Sequence, residues 1–359
     1  MPAAPRPPLP DRVPTALVRF LVPGLSRRFR CGGLSVEQQT ARLVAGVCTT
    51  ELVTYRERSP AHPFLDDLLA DESPQDEVLW IVSWGFDVPQ LIRRLRGRRV
   101  AYHAHSSGYG FQLPSEVPVL AVSRNTLGYW GSRSPRNLLL LLPNALESIW
   151  LKRGHRDGAA DRPIDVFVQA RKSSRYVTDQ LVPALRHAGL AVQVQDGWVD
   201  DLLALFNQST VYLYDSAEYW RGCGVSEGFG LPPLEAMACG CVVFSSLNHA
   251  LADHGAGGEV LHQLGCGRLN FDVQRIQAAV ADPAAWRPSS QELESLLEGC
   301  SEASLQSKWS SALAQMDALH ATQGPLLRTL PGWRLRLDRW LQRWQRVVNR
   351  FRGWPKFRR

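Results

Sequence analysis

Residues 227–240 read Glu-Gly-Phe-Gly-Leu-Pro-Pro-Leu-Glu-Ala-Met-Ala-Cys-Gly. The first half is a glycine-punctuated loop, and the second half is helical in composition, with Pro232 and Pro233 in a first turn where their missing N–H groups cost least. Gly240 stops the helix, and Cys241 to Phe244 (CVVF) reads as the next strand. Glu227 thus lies in the loop and Glu235 in the helix, with seven residues between them. Gly228 and Gly230 expose backbone N–H groups that, together with the helix N-terminus, make an anion site suited to a diphosphate. Glu235 can accept two hydrogen bonds from a ribose diol, and Glu227 can reach hydroxyls of a sugar beyond the phosphates. A capped helix with an incidental acidic residue is the competing reading of the same letters.

Upstream of this run, short β-rich stretches alternate with amphipathic ones. Val18–Val22, Glu51–Tyr55, Val78–Val82, Arg99–His105, Val119–Val122 and Leu138–Leu142 read as buried strands separated by helices, the rhythm of a parallel sheet. Ser35 is expected to cap the first helix and Gly46 to end it. After a linker-like stretch, Gly154 to Pro163, the rhythm restarts with Asp165–Gln169, Leu190–Gln195 and Val211–Tyr214. A long loop, Asp215 to Gly230, then leads into the motif. The expected fold class is α/β, with domains at 1–154 and 155–325 and a basic tail at 326–359.

Ligands of such sheets sit beyond the carboxyl ends of the strands. Gly32 and Gly33 follow the first strand there, either to let backbone approach a ligand or to make a plain tight turn. His103 and His105 stand two apart on one strand and so share a face. They are candidates for catalysis, or else bond within their own loop. Ala170-Arg171-Lys172-Ser173-Ser174-Arg175 follows the restarted first strand, where basic side chains are either solvated or placed to neutralise a leaving anion.

Composition narrows the classes. The chain has 359 residues, 45% hydrophobic and 21% charged, which suits a globular protein of two domains and excludes a disordered one. Its purely apolar runs, such as Leu138 to Leu142, are far short of the ~20 residues that span a bilayer. The Pro-rich first residues lack the apolar core of a signal peptide, so the expectation is a cytoplasmic protein. Seven irregularly spaced cysteines suit reduced thiols, and Cys239 and Cys241 read as small buried residues. No Asp-x-Asp pair occurs, so neither a metal nor a cofactor is expected. The net charge of +7 is local: ten of the 41 Lys and Arg and one of the 34 acidic residues fall between Trp333 and Arg359, leaving 31 basic against 33 acidic side chains elsewhere. A nucleic-acid-binding body is thereby disfavoured. In the tail, Trp333, Leu337, Trp340, Leu341, Trp344, Val347, Val348 and Phe351 recur at helical spacing, with Arg336, Arg339, Arg343, Arg346 and Arg350 opposite. That pairing is typical of helices lying in an anionic membrane surface, although a helix docking on the first domain would also show an apolar stripe.

The run from Glu227 to Gly240 resembles the E-x7-E signature of the retaining family 4 (group 1) glycosyltransferases, whose GT-B fold sets two Rossmann-like domains face to face. The early Gly-Gly, the His103–Gly108 loop, Leu142-Pro143-Asn144 and the restart at Asp165 fit more loosely. The resemblance implies transfer of a sugar, with retention, from a nucleotide-diphosphate-sugar to a glycan or lipid-linked acceptor in cell-surface polysaccharide or glycolipid synthesis. It assigns the donor sugar to Glu227, sugar and phosphate to the Phe229-Gly230-Leu231 backbone, ribose to Glu235, and acceptor or sugar orientation to His105. It gives the leaving group to Arg171 and Lys172, with Arg175 an alternative, because the family's Arg-to-Lys spacing is not kept. The stretch Glu218 to Ser226 is longer than the family's usual link. A non-catalytic membrane-bound scaffold, or another GT-B enzyme such as a sugar-nucleotide epimerase or a phosphorylase, are the alternatives.

Overall fold

The computed structural model describes residues 14–156, 161–197, 199–254 and 260–323, and positions 337, 340, 341, 343 and 344. Two sheets organise them. The first contains β1 (Leu17–Val22), β2 (Thr49–Thr54), β3 (Val78–Val82), β4 (Arg99–Ala104), β5 (Val119–Ala121) and β6 (Leu139–Leu141), in the order β2-β1-β3-β4-β5-β6. The second contains β7 (Ile164–Gln169), β8 (Val192–Gln195), β9 (Ser209–Tyr214), β10 (Val242–Ser245) and β11 (His262–Gln263), in the order β11-β10-β9-β7-β8. Every pairing is parallel. Parallel strands joined by crossover helices are covered on both faces, which is why β1, β3, β4 and β9 are runs of buried side chains and not alternating ones. These are two Rossmann-like domains in the GT-B arrangement.

Three local expectations need correction. The first helix runs Gly32–Val44 with Cys31 at its N-cap, so Ser35 lies inside it and does not cap it, whereas Gly46, just past the Ala45 C-cap, stands where the helix ends. Leu138–Leu142 is not a fully buried strand: β6 is the sheet edge, and Leu141 is exposed. The stretch from Asp215 to Gly230 is not loop throughout. A helix, Ala217–Cys223, forms within it and is closed by Gly224 in the left-handed conformation.

One element joins the halves. The helix Glu302–Gln323 returns to the first sheet, where Leu305, Trp309, Ala312, Leu313 and Met316 bury against Val18 and Phe20 of β1, Leu79 and Ile81 of β3 and Ala101 of β4. Arg99 bonds Asp317 at 2.6 Å with both side chains largely buried, and Thr15 caps the same carboxylate through N–H at 3.1 Å. The docking that the sequence offered as one reading of the tail is thus performed by this earlier helix. Of the tail, the five described positions are helical, and Leu337, Trp340, Leu341 and Trp344 are exposed. Its other residues lie outside the described ones. Among the described residues, no helix is long and apolar enough to cross a membrane.

Candidate active site

The chain just past the carboxyl end of β4 meets the loop that leads on from β9 in the other domain. On the first side, β4 delivers His103 and, one residue past its end, His105. Both rings turn to the same partner. His103 Nδ1 is 2.8 Å and His105 Nε2 2.6 Å from Oε1 of Glu37, which projects from the first helix. The alternative in which the histidines bond within their own loop is therefore replaced by a contact between strand and helix. Burial acts against the charge on Glu37, but His103 and then His105 more than offset it and hold the carboxyl well below its ordinary range. Burial, reinforced by His103, pushes His105 below its usual value despite Glu37. Among the described residues these three form a cluster whose metal-ligating atoms lie within 4.8 Å of one another. Two nitrogens at 2.6 and 2.8 Å from one oxygen are nevertheless closer than the ~3.3 Å that ligands of a tetrahedral zinc keep from each other, and match hydrogen bonds instead.

Gly32 and Gly33 open the first helix. They make a tight turn there, the Leu34 N–H donating to the Cys31 carbonyl at 3.1 Å; neither has a positive φ, and a Cβ on Gly32 would meet nothing within 4 Å.

On the second side, Glu227 is buried and fixed by one oxygen. Its Oε2 accepts from the Tyr214 hydroxyl at 2.5 Å, the Trp220 indole N–H at 2.6 Å and the Ser216 hydroxyl at 2.9 Å. Burial, with the Glu227 carboxylate alongside, pushes the Tyr214 phenol well above its usual value, so it remains a donor. Gly230 has φ +85° at the N-cap of the helix Leu231–Ala238, a conformation that L side chains rarely adopt. Because Pro232 and Pro233 carry no N–H, the free amides of this terminus are those of Gly230 and Leu231. The Phe229 carbonyl accepts from His254 Nε2 at 2.6 Å, which fixes the loop from behind.

The two sides touch at Gly228, where a Cβ would fall 1.6 Å from the His105 carbonyl oxygen. Ser226 extends the contact: its carbonyl accepts from Ser106 Oγ at 2.6 Å, and its hydroxyl lies 2.7 Å from Ser107 Oγ. Arg124 pairs with Asp253 at 2.9 Å across the same seam.

The basic loop follows β7. Lys172, half-buried, holds its ammonium 5.2 Å from the Trp220 ring centroid, whereas Arg171 is exposed and lies over Tyr219 at 5.9 Å. Arg175 meets the same short helix through its backbone, its N–H donating to Glu218 at 3.0 Å. Glu235 keeps part of its surface open, yet burial pushes its carboxyl up to about 7; Lys172 pulls it down and Glu147 adds a smaller upward push. The Lys172 ammonium thus lies against Trp220 of the insert helix, Ala217–Cys223, while its charge acts on Glu235 of the motif helix, Leu231–Ala238. Cys239 and Cys241 are buried, and Cys241 Sγ lies against the Phe206 and Ser209 carbonyls.

The sequence reading passed over Glu37, Tyr214, Ser216, Trp220 and Ser226. A signal for Glu37 was present: Leu34, Glu37, Ala41 and Val44 fall on one helical stripe, which places a carboxylate on the buried face. Nothing local marks Tyr214 or Ser226, whose roles come from chain folded against them.

Residues 187–254 match the family model described as glycosyl transferases group 1. No curated protein sequence matches the chain. Among solved structures, the fold is similar to sucrose-phosphate synthase from Thermosynechococcus elongatus (TM-score 0.57, 15% identity, 84% of this chain and 99% of that one). It is similar as well to a glycosyltransferase from Rickettsia africae (0.59, 11%, 84% and 98%) and to Anabaena HepE in complex with UDP and glucose (0.57, 12%, 84% and 100%). The GT-B architecture and the matching segment, which carries both motif glutamates, together support a group 1 glycosyltransferase.

Proposed function

We propose that the chain transfers a sugar with retention from a nucleotide-diphosphate-sugar to a glycan or lipid-linked acceptor. The observation that carries the reading is the meeting at Gly228, where the glutamate-bearing loop of the second sheet lies against the His105 backbone of the first. A sugar seated there would reach both domains. Glu235 would accept the ribose hydroxyls, and the amides of Gly228, Phe229, Gly230 and Leu231 would take the sugar and diphosphate. Glu227 has one oxygen filled by protein donors and would present Oε1 to the sugar. Of the basic residues, Lys172 is the one whose charge acts on Glu235, so it is assigned to the leaving diphosphate, with Arg171 outside it. As the bond from the anomeric carbon to the diphosphate breaks, the acceptor oxygen bonds to the same face and its proton passes to the departing phosphate. HepE was solved with UDP and glucose, which makes UDP-sugars the first donors to try.

The domain assignment, with an acceptor side at 1–154, a donor side at 155–325 and a tail at 326–359, belongs to this reading. So does a peripheral position at the cytoplasmic face of a membrane: the exposed Leu337, Trp340, Leu341 and Trp344 would enter the headgroup boundary and the tail arginines would meet anionic lipid.

A non-catalytic scaffold is favoured by one observation, the insert helix lying over both Arg171 and Lys172. Release of nucleotide diphosphate from a panel of UDP-sugars separates the two. Turnover above background, retained in EDTA because basic side chains neutralise the leaving group, is expected of the enzyme; none with any donor would leave the scaffold.

A further inference from the structure

Three side chains of the first domain, Glu37 from the first helix and His103 and His105 at the end of β4, form a closed hydrogen-bonded unit. Side-chain exposure is 2% for Glu37 and His103 but 16% for His105, so His105 is the member able to meet a ligand. Both bonds end on a single oxygen, Oε1 of Glu37. A carboxyl protonated on that atom could donate to one ring and accept from the other, but could not accept from both. An ionised carboxylate accepts from both, which requires N–H at His103 Nδ1 and at His105 Nε2. Since a neutral imidazole carries one proton, occupation of Nε2 leaves Nδ1 of His105 with a lone pair. No described residue bonds that atom.

We propose that Glu37 is the positioning residue of the cleft: it holds His105 as the Nε2–H tautomer and so presents Nδ1 as a hydrogen-bond acceptor to a substrate hydroxyl. The opposite tautomer would offer an N–H donor, which carbonyl, phosphate and hydroxyl oxygens all accept, whereas a bare Nδ1 takes a proton from the hydroxyl alone among them. His103 is the second donor that compensates the buried carboxylate, and its own contact, edge-on to Trp309 at 5.7 Å, ties the unit to the returning helix. The role of the hydroxyl rests on the transferase reading; the tautomer does not.

The test uses the full chain labelled with 15N-histidine, with His105→Gln to assign the signals. At neutral pH, wild type should show His105 with Nε2 protonated and Nδ1 bare. Glu37→Gln, whose amide can donate as well as accept, should lose that signature and lower kcat tenfold or more, with KM for the donor changed less than twofold. His103→Asn keeps the Glu37–His105 bond and should keep the signature, so it and the wild-type spectrum decide the matter if Glu37→Gln does not fold. A wild-type His105 protonated at Nδ1, or loss of the signature in His103→Asn, overturns the proposal. So does stoichiometric Zn²⁺ uptake abolished by His105→Gln, since the unit would then be a metal site. The expected spectra without sugar transfer would overturn the proposed function and leave the positioning role standing.

Discussion

Glu235 is a carboxylate whose buried environment opposes its charge. Its carboxyl, held up to about 7, binds a proton between pH 4.5 and 7 that the unfolded chain releases, so it costs stability as pH rises through that window. Glu235→Gln should flatten this part of the stability profile, read by denaturant titration at several pH values. Donor binding runs the other way, because the ribose needs the ionised acceptor. The affinity for a UDP-sugar, whose diphosphate diester does not titrate here, should therefore weaken as pH falls below about 7 in wild type and stay flat in Glu235→Gln. Loss of a charge-assisted bond costs about 1.5–3 kcal/mol, so the variant should bind roughly 10–150-fold more weakly at pH 8. Calorimetry showing equal affinities would remove Glu235 from the site. Glu227→Ala should instead lower turnover more than affinity, and wild-type kcat in that variant would contradict its contact with the sugar. The residue types of both glutamates were legible in the motif, but the triple anchoring of Glu227 was not. Tyr214 and Ser216 precede it by 13 and 11 positions, and only the insert helix brings Trp220 round to it.

Among elements, the loop entering the motif helix shows why glycine is needed twice for different reasons. Gly230 supplies a positive φ, which the sequence pattern of a helix start already hints at. Gly228 is required by a close approach, since its Cβ would overlap the carbonyl of His105 at the end of a strand in the other domain. Gly228→Ala should push loop and strand apart, costing about 1–3 kcal/mol of stability by overpacking and reducing donor turnover more than donor binding. An unchanged melting temperature and full activity would show that the two sides do not meet in solution. The same scale explains the misread insert. Ala217–Cys223 is seven residues long with none buried, so it has no apolar periodicity for a sequence reading to find. It is held by its side chains on Glu227 and the basic loop.

For the whole molecule, the returning helix decides whether the two sheets behave as one body. Trp309 is fully buried against Phe20 on the opposite half of the chain, with ring centroids 5.7 Å apart. Trp309→Ala should cost about 3–5 kcal/mol, measured by chemical denaturation, because the cavity would open between a helix and the sheet it must cover. A loss below ~1 kcal/mol would mean that the helix contributes little to the first domain. The basic tail beyond it is a separate question. Each arginine near an anionic leaflet contributes roughly 1 kcal/mol, so full-length protein should sediment with anionic vesicles, be released by salt and fail to bind once Trp333 to Arg359 is deleted. Protein that stays in the supernatant at low salt would refute the membrane position.

Periodicity and punctuation by themselves determined the parallel α/β sheets, the restart after the linker, and the glycine loop and following helix that carry one carboxylate each, because these are written in residues close together in the chain. Tertiary structure decided what those residues do. Glu37 joins His103 and His105 across more than sixty positions, Ser226 meets Ser106 across 120, and Asp317 meets Arg99 across 218. A buried carboxylate in a helix, a serine in a loop and an aspartate near a helix end look the same in sequence whether or not a partner arrives. The partner arrives only when crossover connections and the returning helix bring the strand ends together, and local propensity cannot encode that geometry.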